Sequence, residues 1–143
     1  MARRKSRELA FVLLFERCFD ETDMQEIIDR AIEARDIEPD DFALRLAKGA
    51  DEYMLESDKQ IEEFSHRWSK ARLSKVSLAI LRLALYEMQH VEESPVSVAI
   101  NEAVELAKKY GEDDEPPFIN GILGAVARKN GDDVETTNDV VSE

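Results

Sequence analysis

Pro95-Val-Ser-Val-Ala-Ile-Asn-Glu-Ala-Val-Glu-Leu-Ala-Lys-Lys-Tyr-Gly111, followed by an acidic turn and then Phe118-Ile-Asn-Gly-Ile-Leu123, is the stretch that decides the fold. Ile100, Ala103, Val104 and Ala107 recur at helical spacing and share one face. Ser94-Pro95 is a start signal, with the serine as cap and the proline as first helical residue, and Gly111 is the stop. Asp114 to Pro117 opens a last helix, because prolines fit a first turn whose amides have no intrahelical partners. Asn101 and Asn120 sit within these apolar patterns, where an amide typically fastens a neighbouring helix by hydrogen bonds.

Upstream, Val76 to Met88 is apolar on most sides and reads as the central buried helix. Arg82, Tyr86 and Glu87 interrupt it. Arg82 pairs with a carboxylate in a partly buried ion pair. Tyr86 either packs with its hydroxyl wet or joins Glu87 in a partner-binding surface. Toward the N-terminus, Arg3 to Phe19 forms a first helix. Thr22 with Gln25 is a capping box for a second, which carries Met24, Ile27, Ile28 and Ala31. After a break at Asp36 to Pro39, a third helix starts at Pro39 or Asp40 and presents Phe42, Leu46, Ala50 and Tyr53. Ser57 interrupts it before Ile61, Phe64 and Trp68 continue the pattern. From Asn130 onward the periodicity stops, and Asp132, Asp133, Glu135, Asp139 and Glu143 have no basic counterpart. The expectation is one helical domain over residues 1–130 and an acidic, disordered tail over 131–143.

Composition agrees. A chain of 143 residues with 43% hydrophobic content, five glycines and four prolines is one helix-favouring domain able to bury its own core. No apolar run reaches the ~20 residues of a membrane span. Leu9 to Phe15 is bracketed by Glu8 and Glu16 and lacks a cleavage site, so a cytoplasmic location is expected. The single Cys18 rules out an internal disulfide framework and reads as a small apolar packer.

The net charge of −13 is unevenly distributed: +3 over residues 1–19, −11 over 20–63, +2 over 64–111 and −7 over 112–143. Screening acts over about 8 Å at physiological salt, so a local basic patch can bind phosphates despite acidic regions elsewhere. Arg3, Arg4, Lys5 and Arg7 form such a patch, either as a nucleic-acid-contacting arm or as a solubilising terminus. Phe118 is either a core contact with Ile122 or a platform for a splayed base. Glu63 with His66, and Glu87 with His90, have the Glu-x-x-His spacing of di-iron bundles. The first pair lies on a solvated face and one further pair cannot complete a site. With no Gly-rich phosphate loop and no cysteine cluster, neither an enzyme, a metal nor a cofactor is expected.

Ser6-Arg7-Glu8-Leu9-Ala10, the Leu81 to Met88 block, Ile100 to Lys108 and Phe118 to Leu123, in this order and at these distances, resemble the NusB transcription antitermination family over residues 3 to 129. The resemblance implies an all-α fold of about seven helices in two roughly perpendicular three-helix bundles. It implies a non-enzymatic adaptor that pairs with NusE, a small-subunit ribosomal protein, and binds boxA RNA in nascent transcripts within the RNA polymerase antitermination complex, notably in ribosomal RNA operons. By the same resemblance, Arg3, Arg4, Lys5, Arg7, Asp114 and Phe118 are RNA-binding residues, and Tyr86 and Glu87 lie toward NusE. Both monomers and dimers occur in the family, so a homodimer stays open. The chain departs from the family pattern at Asp114-Glu115-Pro116-Pro117, where Glu115 replaces a serine cap and adds charge that repels phosphate. Two other readings compete: a module assisting ribosomal RNA modification, and a protein-binding adaptor without RNA affinity.

Overall fold

A computed structural model describes residues 3–35, 37–65 and 73–131, and every regular element among them is a helix. The seven are α1 (Arg3–Arg17), α2 (Met24–Arg35), α3 (Asp41–Glu52), α4 (Met54–Phe64), α5 (Lys75–His90), α6 (Val96–Tyr110) and α7 (Glu115–Lys129). The all-helical expectation holds. His66, Trp68 and the acidic tail from residue 132 lie outside the described residues.

The helix ends follow local chemistry, with some changes from the sequence reading. Asp23, not Thr22, caps α2, accepting the Glu26 N–H at 2.9 Å. Asp40 caps α3 through the Ala43 N–H at 2.9 Å, and its other oxygen accepts the Ser6 hydroxyl at 2.6 Å. One carboxylate therefore starts α3 and ties it to the first turn of α1. The break between α3 and α4 falls at Tyr53; Ser57 is buried within α4. Ser74 caps α5 by accepting the Ser77 N–H at 2.9 Å. Ser94 does not cap α6. Its hydroxyl donates to Glu87 at 2.7 Å, and Pro95 takes the cap position without a side-chain bond.

α1, α2 and α3 pack as one three-helix group and α5, α6 and α7 as another, with α4 against α5 and α7. α5 is the hub. It touches α1, α3, α4, α6 and α7, which explains a helix apolar on most sides. Leu13, Ile27, Leu46, Ile80, Leu85, Ile100, Ile119 and Leu123 are among the buried side chains of a core that runs through both groups. Close approach of α3 to α5 requires Gly49: a Cβ there would lie 2.1 Å from Cζ of Tyr86. The Arg82 ion pair is present, with Nε and Nη2 each 2.9 Å from a different oxygen of Asp58. Asn101 is exposed on α6, so the fastening role expected of it is not what its position serves.

Candidate nucleic-acid interface

The basic patch is helical from Arg3 onward, so the four cations are distributed around the first turns of α1. Each meets a different environment. The Arg3 guanidinium carbon lies 3.9 Å from the ring centroid of Phe42 on α3. Arg4 forms a two-pronged pair with Glu102 on α6, Nε to Oε1 at 3.1 Å and Nη2 to Oε2 at 2.8 Å, while its side chain stays 69% exposed. Lys5 is exposed.

Arg7 turns inward. Its Nε lies 2.9 and 3.1 Å from the two Glu87 oxygens and its Nη2 is 2.6 Å from Oε2. The two side chains are only 8% and 2% exposed. Burial works against the Arg7 charge, but the hydrogen bonds and charge of Glu87 outweigh it and raise its pKa. Two residues expected on different surfaces, Arg7 on the RNA side and Glu87 on the partner side, are each other's partner inside the protein. The reason is electrostatic: a buried guanidinium needs a carboxylate, and the Ser94 hydroxyl satisfies a further lone pair of Glu87.

Side chains of α1 and α6 meet along a strip. Arg4 meets Glu102, Glu8 meets Lys109 (2.6 Å) and the Tyr110 hydroxyl, and the Phe11 and Tyr110 rings lie 4.8 Å apart. Hydrogen bonds from Lys109 and then Tyr110 hold the Glu8 carboxyl below its usual range. Lys108 and Lys109 are about three-fifths exposed on this strip. Lys108 and Lys109 carry no distinguishing signal in the sequence, because cations in a last turn are ordinary helix-end residues. Glu102 carries none either, since Arg4 lies 98 positions away in sequence.

Beyond Gly111 the strip reaches the start of α7. Leu73, Ser74, Ser77, Glu112, Asp114, Glu115 and Phe118 line a groove of about 460 Å³. Asp114 is exposed, and Phe118 is half-buried against the core. Glu115 is not a loose negative charge. Its Oε1 accepts the Ser74 and Ser77 hydroxyls at 2.9 and 2.8 Å, and its Oε2 accepts the Glu112 N–H at 3.1 Å. The carboxylate sits against the first turn of α5, where the helix dipole favours an anion.

Tyr86 is half-buried on α5, its ring lying over Gly49 of α3. Its ring, Tyr53 and His90 form a cluster, with His90 centred 4.0 Å from Tyr53 and 5.3 Å from Tyr86. Exposed Leu55 (78%) lies near in sequence to Tyr53 on the same α3–α4 junction. The expected Tyr-Glu pair is thus split, with the tyrosine half-buried and the glutamate fully inside. Among the described residues no group of histidine, cysteine and carboxylate side chains has metal-site geometry. None of the described helices is long and apolar enough to cross a membrane.

The family model described as NusB family matches residues 4–128. Transcription antitermination protein NusB of Acetivibrio thermocellus is 45% identical over 130 residues, covering 90% of each chain. The protein of the same name from Clostridium novyi is 44% identical over 128 residues, covering 87% of this chain and 96% of its own. Among solved structures, NusB of T. maritima superposes with a TM-score of 0.80 at 33% identity, covering 90% of this chain and 92% of that one. A chain from a complex of antitermination factors NusB and NusE with double-stranded RNA gives 0.79 at 26% identity, covering 90% and 99%. With the helices and signature blocks in agreement over nearly the whole described chain, this protein belongs to the NusB family.

Proposed function

We propose that this protein is a non-enzymatic transcription antitermination factor that pairs with NusE and binds boxA RNA in nascent transcripts, within the RNA polymerase antitermination complex that serves ribosomal RNA operons. The observation that carries this reading is the first turn of α1. Arg3 and Arg4 are held by partners on two other helices while their side chains face solvent beside Lys5, a fixed cluster of cations on an otherwise acidic protein. Such a cluster suits a phosphate backbone. Phe118 and Asp114, at the far end of the strip, supply an aromatic face and a hydrogen-bond acceptor for unstacked bases. Arg7 contributes by anchoring the turn. The Tyr86 face is the NusE side, with Glu87 holding α5 and α1 together behind it. The cytoplasm is the compartment this function requires.

The test is binding of labelled boxA RNA and a scrambled RNA, each with and without NusE. Preference for boxA that sharpens when NusE is added supports the reading. Equal, weak binding to both RNAs with NusE bound normally would favour a protein-binding adaptor instead.

A further inference from the structure

We propose that Glu102 is a positioning residue for the basic turn: it clamps Arg4 by one edge of the guanidinium so that the other edge is presented, already ordered, to a phosphate. This rests on the RNA-binding function proposed above.

Glu102 takes Nε and Nη2 of Arg4, at 3.1 and 2.8 Å. A planar guanidinium bound along that edge directs its Nη1 side away from the carboxylate, and the Arg4 side chain is 69% exposed. A free arginine would lose most of its rotamer freedom on meeting a phosphate; here that ordering precedes binding. Glu102 itself is 15% exposed in its side chain, so it forms part of a fixed wall. Its Oε1 also lies 4.0 Å from Nη1 of Arg7, which is buried against Glu87. The carboxylate therefore stands between two guanidiniums that would otherwise repel one another across the same turn. Phe42 acts in the same sense on Arg3, offering its ring face at 3.9 Å.

A carboxylate beside a cation has an opposite possible effect, because it competes with phosphate for the same guanidinium. The edge geometry decides between them: a competitor would cover the outward edge, whereas Glu102 occupies the inward one.

The experiment compares boxA RNA binding by the full chain and by Glu102→Ala, Glu102→Gln, Arg4→Ala and the double variant Arg4→Ala/Glu102→Ala, each checked for unchanged helical content. Glu102→Ala is expected to weaken binding about five-fold although it removes a negative charge, and Glu102→Gln, which keeps one acceptor, to fall between it and the parent. In the Arg4→Ala background, Glu102→Ala is expected to have little further effect. Tighter binding by both Glu102 variants would make the residue a competitor and overturn the proposal. An equal loss with and without Arg4 would overturn it too, by showing that the effect does not pass through that side chain. If the parent chain itself does not bind the RNA, the functional reading fails rather than this refinement of it.

Discussion

The Arg7–Glu87 pair shows how residue identity alone can mislead about role. An arginine in a basic run and a glutamate beside a tyrosine both suggest contacts with other molecules, yet here they neutralise one another in the interior. Removing one partner leaves the other charged and buried, which costs about 3–5 kcal/mol. Glu87→Ala is therefore expected to lower the unfolding free energy by about that amount in a denaturant titration. Arg7→Met with Glu87→Leu together should cost much less than the two single changes summed. Gly49 gives a second residue-scale expectation. Gly49→Ala places a methyl group against the Tyr86 ring and should cost about 1–3 kcal/mol through overpacking, with Tyr86→Ala in the same chain relieving part of it.

At the scale of elements, the joint between α5 and α7 is held by Glu115, Ser74 and Ser77. The Ser74 oxygen accepts the Ser77 N–H while its proton goes to Glu115, so one hydroxyl both starts α5 and fastens α7. Ser74→Ala should cost about 1 kcal/mol, or about 4 °C in the thermal midpoint of a domain this size. Helices were largely legible in the sequence because apolar periodicity encodes them directly: the buried run of α5, the Gly111 stop and the prolines opening α7 all stand where the pattern puts them. Capping was less legible. Thr22 and Asp23 are adjacent candidates for one cap, and Ser94 can bond either its own helix or a distant carboxylate; only the packed fold selects. Arg82 was readable as an ion-paired residue because a lone arginine on a buried helix has few alternatives. The inward turn of Arg7 was not readable, since its partner lies 80 positions away.

On the scale of the whole molecule, charge separates stability from function. Several carboxylates sit below their ordinary pKa: Glu8 beneath Lys109 and Tyr110, Asp20 beneath the Thr22 N–H and Arg30, Asp40 beneath the Ser6 hydroxyl and the Ala43 N–H, and Glu93 beneath Arg45. A carboxyl whose folded pKa is depressed stabilises the fold above its unfolded value, about 4, and that contribution disappears as pH falls through the folded value. The thermal midpoint should accordingly stay level as these groups remain ionised from pH 7 to about pH 5, then drop below about pH 4. A midpoint that rises as pH falls below about 4 would contradict a net stabilising effect of these ionised carboxylates.

The opposite charge, concentrated in the first turn of α1, is where the proposed RNA contact lies, and the salt dependence of RNA binding addresses it most directly. For a single-stranded boxA RNA, neutralisation of about three phosphates by Arg3, Arg4 and Lys5 gives a slope of log affinity against log salt near −2. Arg3→Ala with Arg4→Ala should weaken binding about tenfold or more and flatten that slope by about 1.4, with helical content unchanged. Unchanged affinity and slope in the double variant would contradict the account.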